Sequence, residues 1–481
     1  MRTGARRAST KTGPIVVTRA DIEVVNRRRS ANRRSRQRGV DLLIGAFWTS
    51  VAASIALWIA AGGLRRMPDS GGVLLAVGIV SGLVATDLLL VMLVLAARVP
   101  FIDRAIGQDS AIAFHRRLGT PALALLVTHL VCVVTGYAVI ELTNPAAEAI
   151  RLVAAGADLT AASAAFAVIV LVVVTSVVRA IRRRMPYEAW HLVHLCAYVG
   201  VLLAVPHELA QGDVLALGTP ERLYWAALYA FAFGALALFR VVLPAMKSVR
   251  HGLRVTWVEH VAPDAVSIHM VGRDLARLRA SGGQYATWRF WSWRTWWHAH
   301  PVSFSSVPTD AIARITVRTL GAGTRRLADL RPGTFVSVAG PYGVFTERAR
   351  AAPYLAIVAA GIGITGARSL LEDSTLRPGE ATVVLRASDE RQRYLWAEVV
   401  DLVRERGATL VTMTGHRPPG VATWMSSSAL ENGLDLARLF PRLPQSDLYV
   451  CGAPAWVDLV VADARRLGVP RERIHVERFE S

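Results

Sequence analysis

The first half of the chain alternates long apolar runs with short polar segments. Six of these runs are long enough to cross a hydrocarbon core about 30 Å thick. They lie at roughly 41–62, 72–97, 112–140, 161–180, 188–209 and 223–245. The pattern predicts six membrane-spanning helices, with everything after residue 250 forming one module outside the bilayer.

After residue 250 the pattern changes to short alternating runs, as in 253–261, 265–271 and 313–319, broken by Gly, Pro and Asp. Such runs are typical of an antiparallel sheet or barrel. From residue 353 the order becomes strand, glycine loop, helix and strand, which indicates a parallel α/β sheet. The sequence therefore predicts a multi-domain membrane protein with four parts. They are a disordered basic arm (1–40), a six-helix membrane bundle (41–248), an antiparallel β-barrel (249–349) and an α/β domain (350–481).

Charge adds an orientation to this picture. The chain of 481 residues carries a net charge of +19, and residues 1–40 hold twelve Arg or Lys and two acids. The second and fourth loops between spans are also richer in Arg than the third and fifth. By the positive-inside rule both termini are cytoplasmic in a plasma-membrane protein. The arm alone would suit a nucleic-acid binder, but it lacks interleaved aromatics and a recognisable fold, so we expect lipid contact and no nucleic-acid partner.

Five histidines, and Asp87 among the acids, interrupt the apolar spans. Such groups are costly inside a bilayer and are therefore candidates for function. His115 and His129 share the third span, and their fourteen-residue spacing is about 21 Å along one helix face. His194 and His207 lie thirteen residues apart on the fifth span, a spacing that does not give one face unless Pro206 distorts the helix. Two cross-helix pairs of imidazoles could each hold one haem iron on both sides, which suits electron transfer.

The segments around these histidines resemble a known superfamily. Three segments are similar to the haem-binding core of the ferric reductases and NADPH oxidases: FHRRLG (114–119), THLVCVVTGY (128–137) and WHLVHLCAYVGVLLAVPHEL (190–209). The Arg-rich composition of the chain is like that of actinobacterial members. The resemblance implies two stacked b-type haems. His115 would pair with His194 on the inner haem, and His129 with His207 on the outer haem. The additional His191 departs from the pattern and is interpreted as structural.

A flavin motif of the same superfamily is similar to HPVSFSS (300–306). The resemblance implies FAD bound by His300, Pro301, Val302, Ser303 and Ser306. Ser303 would meet the ring edge and His300 the pyrophosphate, while Val302 replaces the usual aromatic residue. A strand edge with scattered hydroxyls is the alternative.

Two neighbouring segments extend the flavin prediction. The tight turn GPYG follows a strand, and the backbone N–H groups at Gly340 and Gly343 could hold phosphate. A Trp cluster (Trp288, Trp291, Trp293, Trp296 and Trp297) precedes the motif, and most of its members are interpreted as membrane-interface anchors.

A nicotinamide site is indicated further on. In AIVAAGIGITGARSLLE (356–372) a strand enters a Gly-x-Gly loop that opens a helix, which places Gly361, Gly363, Ile364 and Thr365 at a dinucleotide pyrophosphate. The loop resembles that of ferredoxin reductases, and YVCGAP (449–454) resembles the strand end of that family beside the nicotinamide. The resemblance implies roles for Cys451 and Gly452 there, and for the near-terminal Phe479 as the aromatic that covers the flavin. The alternatives are a buried small residue at 451 and a frayed tail.

Coenzyme choice is predicted from the end of the strand ATVVLRAS (381–388). Arg386 stands where an acid would hold a ribose 2′-OH, and a guanidinium suits a 2′-phosphate. Arg417 could assist. The sequence favours NADPH over NADH.

Together these features predict an NAD(P)H-dependent flavocytochrome. Electrons would pass from NAD(P)H through FAD and two b-type haems to an external acceptor, with Ser303, Cys451 and Phe479 at the hydride-transfer site. A ferric chelate is the first candidate acceptor, because acids in the outer loops could attract a ferric cation; these are Glu141, Glu148, Asp158, Glu208 and Asp213. The alternatives are a superoxide-producing oxidase and an electron-supply subunit for a partner protein or quinone.

Overall fold

The structure is a computed structural model that describes residues 19–66, 69–210 and 219–479. It contains two compact units. One is Gln37–Lys247, and the other consists mainly of the residues from Ser248 onward. How the second unit divides into a flavin and a nucleotide domain stays a prediction.

Helices make up the first unit. They are α1 (Arg19–Ala60), α2 (Ser70–Ala96), α3 (Pro100–Ile106), α4 (Gln108–Ile140), α5 (Pro145–Ala154), α6 (Ala157–Val177), α7 (Arg179–Arg184), α8 (Tyr187–Ala210) and α9 (Pro220–Leu236). A π-helical turn, Ala237–Val242, joins α9 to α10 (Leu243–His251). Side chains of the preceding residue cap several helices: Asp69 accepts from the N–H of Gly72, and Asn144 from that of Ala146.

Six helices among the described residues are long and apolar enough to cross a membrane. They are Arg34–Ala60, Ser70–Ala96, Gln108–Ile140, Ala157–Val177, Glu188–Leu209 and Pro220–His251. Each contains most or all of one predicted run. The protein is a multi-pass membrane protein, as the pattern predicted.

The basic arm differs from the prediction in its second half. Residues 19–40, expected to be disordered, are helical and continuous with the first span. Arg and Gln are good helix formers, so a helix already nucleated by the apolar span can extend through them at little cost. The first eighteen residues of the arm lie outside the described residues.

Six strands after residue 250 form two antiparallel sheets. They are β1 (Arg254–Ala262), β2 (Ala265–Val271), β3 (Tyr285–Phe290), β4 (His300–Ser303), β5 (Ile312–Arg318) and β6 (Val336–Tyr342). One sheet has the order β1-β2-β5 and the other β4-β3-β6. A shared core that includes Ile268, Trp288, Phe290 and Phe304 lies between them.

The predicted closed barrel is not formed. Within the part of the chain that the structure describes, the edges of the two sheets are joined by two single bridges, Arg254 with Phe335 and Phe304 with Ile315. The physical reason is strand length: β4 pairs with β3 over four residues before Phe304, too few to continue a regular ladder to β5.

The remaining strands form a parallel sheet covered by helices. They are β7 (Tyr354–Ala360), β8 (Ala381–Ala387), β9 (Thr409–Thr414), β10 (Ser446–Gly452) and β11 (Ile474–Arg478), in the order β11-β10-β7-β8-β9. Its helices, after the short α11 (Ala322–Arg325), are α12 (Ile364–Asp373), α13 (Trp396–Arg406), α14 (Ser427–Glu431), α15 (Leu436–Leu439) and α16 (Pro454–Arg466). Every residue of β10 is buried, as in a strand covered on both faces. The strand order reverses between β7 and β10, which is where such sheets bind ligands.

Candidate functional site

The four predicted haem-binding histidines form two pairs across α4 and α8. The ring centroids of His115 and His194 are 6.0 Å apart, and those of His129 and His207 are 6.3 Å apart. The second pair forms although α8 runs without a break through Pro206. The structure thus brings together the partners that the sequence assigned to one another.

Hydrogen bonds orient the rings. Nδ1 of His115 donates to the carbonyl of Met92 at 3.0 Å, and Nδ1 of His129 donates to that of Gly78 at 2.9 Å. Nδ1 of His194 lies 3.3 Å from the hydroxyl oxygen of Ser176. Because a bond at Nδ1 fixes the tautomer, Nε2 of these rings is left free to bind a metal. Nδ1 of His207 is buried and finds no partner among the described residues.

Two glycines of α2 make room for the outer pair. A Cβ added at Gly82 would lie 2.6 Å from Nδ1 of His129. One added at Gly78 would lie 2.8 Å from a methyl group of Val133 on α4. Small residues at these positions let the two helices approach closely, which brings the Gly78 carbonyl within reach of the imidazole. This role was not predicted from the sequence, although glycines four residues apart in a membrane span are a signal for close helix contact.

The geometry of each pair fits a six-coordinate haem iron. A bond from a metal to an imidazole nitrogen is about 2.0–2.1 Å long, and the ring centroid lies about 1.1 Å beyond that nitrogen. Two imidazoles that bind one metal from opposite sides therefore have ring centroids about 6.3 Å apart. The observed separations are 6.0 and 6.3 Å. No group of three or more His, Cys, Asp or Glu side chains within the described segments could hold a metal ion. Two imidazoles are too few for a zinc site, but they are enough where a porphyrin supplies the other ligands.

Beside the inner pair lies a stack that the sequence did not predict. The indole of Trp190 stacks on His194 with ring centroids 5.1 Å apart, and the guanidinium of Arg182 lies 4.4 Å from the centre of that indole. The N–H of Trp190 donates to Ser176, the same hydroxyl that His194 contacts. His191 lies on this helix too, but its ring is 6.3 Å from Trp190 and forms neither pair.

The outer acids proposed to attract a ferric cation are mostly engaged elsewhere. Glu208 lies inside α8, where it accepts hydrogen bonds from Thr86 at 2.9 Å and Tyr229 at 2.8 Å. Glu148 is buried and forms an ion pair with Arg151. Asp213 lies outside the described residues. Of the five, Glu141 is exposed and Asp158 is half-buried, so the predicted acidic docking surface is reduced.

The flavin motif carries buried polar atoms without partners. Among the described residues, no hydrogen bond is made by the hydroxyls of Ser303 and Ser305 or by Nε2 of His300. Burial, with His298 and Arg289 nearby, lowers the pKa of His300 to about 4. Unpaired buried polar groups are costly, and a polar ligand such as FAD would satisfy them. Pro301 is exposed, Ser306 is half-buried, and the carbonyl of Val302 accepts from the buried Trp288.

The glycine turn at residues 340–343 lies at the end of β6, in the sheet that also contains β4. Gly340 and Gly343 have φ of +136° and +97°, a backbone region that favours glycine. The side-chain amide of Gln284 donates to the carbonyl of Gly343 at 3.1 Å. The N–H groups of this turn therefore lie on the same sheet as His300–Ser303, as a phosphate-binding role requires.

A second glycine pair fixes the flavin sheet to α12. The N–H of Gly282 donates to Asp373 at 2.9 Å, and that of Gly283 donates to Ser369 at 3.0 Å. A Cβ at Gly282 would lie 1.9 Å from the carbonyl oxygen of Ser369, so no larger residue fits. Since α12 begins directly after the Gly-x-Gly loop, this contact connects the predicted flavin and nicotinamide sites.

At the switch point of the parallel sheet the predicted nicotinamide residues meet. A Cβ at Gly363 would lie 2.6 Å from the carbonyl carbon and oxygen of Cys451, so the glycine loop packs directly on that strand end. The N–H of Phe479 donates to the carbonyl of Gly452 at 3.0 Å, which brings the near-terminal aromatic to the same edge. Burial, with Glu477 nearby, raises the pKa of the Cys451 thiol. The thiol therefore stays protonated and is no nucleophile.

The residues that open α12 are buried beneath this loop. Gly361 has φ of +55°, and Ile364 and Thr365 are buried. The hydroxyl of Thr365 donates to the carbonyl of Ile362 at 3.0 Å. The N–H of Ile364, the first residue of α12, donates to the carbonyls of Gly361 and Ile362, so the glycine loop closes on the start of the helix.

The two predicted phosphate-binding arginines lie near one another. Arg386 ends β8 and donates to Ser388 at 3.0 Å and to the carbonyl of Gly415 at 3.1 Å. Burial, with the neighbouring Arg417, lowers the pKa of Arg386. Nε of Arg386 is buried and finds no partner within the described chain. A bound phosphate would relieve both the repulsion and the unpaired donor.

Comparison with known proteins agrees with this arrangement. Residues 81–205 match the family model described as "Ferric reductase like transmembrane component". The ferredoxin reductase component of 3-ketosteroid-9-alpha-monooxygenase from Rhodococcus rhodochrous is 29% identical over 204 residues, which are 41% of this chain and 56% of that protein. Ferredoxin–NADP reductase B from Sorangium cellulosum is 33% identical over 171 residues, 33% of this chain and 68% of that protein.

The chain belongs to the ferredoxin–NADP reductase family, with a ferric reductase-like transmembrane domain in front. These two relatives are named as reductases of ferredoxin, and the second is linked to NADP. A solved flavohemoglobin from Malassezia yamatoensis has a TM-score of 0.41 and 16% identity, and the match covers 86% of this chain and 100% of that one. The reductase spans 56% and 68% of the two curated relatives' own lengths.

Proposed function

We propose that this reductase moves electrons through the membrane, from cytoplasmic NADPH to an acceptor on the opposite side. The observation that carries the proposal is the two pairs of facing imidazoles in the membrane helices. Within the pairs the ring centroids lie 6.0 and 6.3 Å apart. The same chain also contains the module that resembles nicotinamide-dependent reductases. His115 and His194 would hold an inner b-type haem, and His129 and His207 an outer one. Their levels are about 21 Å apart along α4.

FAD, when bound, accepts two electrons as a hydride and releases them singly, which suits haems that carry one electron each. The chain's own residues order these groups. Ser303 and Ser305 offer unpaired hydroxyls to the flavin, and the strand end Cys451–Gly452, with Phe479 bonded to it, forms the edge where the nicotinamide would lie. Arg386 and Arg417 would recognise the 2′-phosphate, so NADPH is the proposed coenzyme.

Orientation follows from charge. The basic residues around Arg179–Arg184 and the segment before Arg38 would lie on the cytoplasmic side of the plasma membrane, with both termini. The inner pair then faces the cytoplasm because His115 lies near the beginning of α4.

The proposed external acceptor is a ferric complex. The support is the ferric reductase-like family match together with an exposed outer carboxylate, Glu141. A second candidate is a partner electron-acceptor protein, favoured by the relatives that are named as ferredoxin reductase components. Oxygen is the third candidate acceptor, with superoxide as the product.

The haem assignment is tested by counting haems and flavin in purified variants. His207→Leu and His129→Leu should each lose the outer haem, retain part of the inner one and leave FAD content unchanged. His191→Ala is the matched control on the same helix and should retain both haems. Two full haems in His207→Leu would refute the pairing, and a haem lost in His191→Ala would move a ligand from His194 to His191.

The acceptor is tested with the protein in liposomes supplied with NADPH. Ferrous iron and superoxide are both measured outside the vesicles, with and without added ferric chelate. Ferrous iron that accounts for the electrons supports the ferric acceptor. Superoxide that accounts for them, unaffected by ferric chelate, would replace it with oxygen. Haem reduction without turnover on either acceptor would favour the partner protein.

A further inference from the structure

A rigid loop of exposed tryptophans connects β3 to β4. In residues 291–297, WSWRTWW, the exposed fractions are 51% for Trp291, 86% for Trp293, 49% for Trp296 and 44% for Trp297. We call this segment the tryptophan loop. Trp288, just before it, is fully buried in the core. An exposed apolar cluster of this size marks an interaction surface.

The loop holds its shape without a partner. Thr295 is buried and donates to the carbonyl of Phe290 at 2.9 Å. The guanidinium of Arg289 donates to the carbonyl of Trp296 at 2.9 Å, and the indole N–H of Trp291 donates to Ser337 at 2.5 Å. The indoles are therefore ordered in advance, and little entropy is lost when they bind.

A hydrogen bond joins the strand beside the loop to α10. Ser337, which holds Trp291, precedes Val338 on β6, and the N–H of Val338 donates to the hydroxyl of Ser248 at 3.1 Å. Ser248 lies in α10 and belongs to the same compact unit as the tryptophan loop. One strand thus holds both the tryptophan loop and the end of α10.

Charge around the loop has one sign. Residues 285–300 contain Arg289 and Arg294 and no acid. Arg326 lies 5.8 Å from the ring centre of Trp297, and Arg254, which begins β1, is exposed. Indoles prefer the interface between headgroups and acyl chains, while guanidinium groups bind anionic lipid phosphates.

We propose that the tryptophan loop docks on the cytoplasmic face of an anionic bilayer, with its indoles in the interfacial layer and Arg294 among the headgroups. The partner is the lipid surface itself. The docking does not depend on which acceptor the reductase uses, and its test needs no turnover.

The test uses the full-length protein in nanodiscs of phosphatidylcholine and phosphatidylglycerol, with or without bromine on the acyl chains. The difference in emission between wild type and Trp293→Phe isolates Trp293, an exposed residue whose replacement leaves the core intact. Bromine on the acyl chains should reduce this signal, because an indole at the interface lies within reach of the acyl chains. The matched control is Trp396→Phe, which reports a half-buried indole at the start of α13 and should show no bromine effect.

Two further measurements decide the alternatives. A Trp293 signal that bromine does not change and aqueous acrylamide quenches freely would overturn the proposal. Shielding from acrylamide without bromine quenching would assign the surface to a contact with protein, within the chain or with a second copy of it, and would also overturn the proposal. Arg294→Glu should weaken the bromine effect only in discs that contain phosphatidylglycerol; an unchanged effect there would remove the headgroup contact from the proposal.

Discussion

Replacing Gly82 by Ala should remove the outer haem without touching a ligand. The added Cβ would lie 2.6 Å from Nδ1 and 3.1 Å from Cε1 and Cγ of His129. Ordinary contacts between such atoms are about 3.5 Å or more, so the ring must move by nearly 1 Å. Metal–ligand distances tolerate only about 0.2 Å, and the same movement strains the hydrogen bond from His129 to Gly78. Loss of such an orienting bond alone costs about 10- to 100-fold in metal affinity.

The assay is the ratio of haem to FAD in purified protein, with the absorbance of reduced b-type haem as the readout. The expected ratio falls from two to one, and the remaining haem belongs to the inner pair. Gly234→Ala is the matched control: Gly234 lies in the interior of α9, and nothing lies within 4 Å of its added Cβ. It should retain both haems.

Full haem content in Gly82→Ala, with unchanged reduction spectra, would refute the reasoning that His129 is held in place by α2. Loss of both haems together with FAD would indicate misfolding, which the thermal stability of the variant separates from a local effect.

Three more predictions concern residues of the predicted flavin and nicotinamide sites. Gly363→Ala places a Cβ 2.6 Å from the Cys451 backbone, so NADPH turnover should fall about tenfold or more while FAD is retained. Gly361→Ala is the control in the same loop. Its Cβ would meet open space, but φ is +55°, so the variant should lose only about 1 kcal/mol of stability. Arg386→Ala should raise the KM for NADPH by about 10- to 100-fold and leave NADH kinetics unchanged, and equal effects on both coenzymes would contradict the 2′-phosphate role. The pKa of His300, about 4 against an ordinary 6.5, means that the unfolded chain binds this proton more tightly. FAD-free protein should therefore be fully stable above pH 6.5 and lose up to about 3 kcal/mol as the pH falls towards 4; a melting temperature with the same pH dependence in His300→Gln would contradict this.

The membrane half was predictable because its signals are local. Runs of eighteen or more apolar residues have few structural alternatives, so the six spans could be placed from the sequence. The resemblance to the ferric reductases and NADPH oxidases implied that His115 pairs with His194, and the ring centroids of these two residues lie 6.0 Å apart. For His207 the rotation predicted a poor fit, yet its ring reaches His129. Side-chain reach and helix tilt, which a spacing does not record, decide that contact.

Features that depend on tertiary packing were missed or misplaced. Glu208 was taken for a loop residue because the end of a helix cannot be located within a few residues from hydropathy alone. The roles of Gly82 and Gly282 depend on which neighbour faces them, and a single sequence does not contain that information. The barrel was expected from strand composition, whereas closure depends on the register and length of β4.

The carbonyls of Gly78 and Met92 impose a joint constraint on two helices. They lie fourteen residues apart on α2, the same interval as His115 and His129 on the antiparallel α4. Deleting one residue from α2 between them would move one carbonyl by about 1.5 Å and rotate it by about 100°. One ring would lose its acceptor, so insertions and deletions in either interval should be excluded from related chains. Because both acceptors are backbone atoms, position 92 can change to other apolar residues that fill the same core, while the interval cannot change.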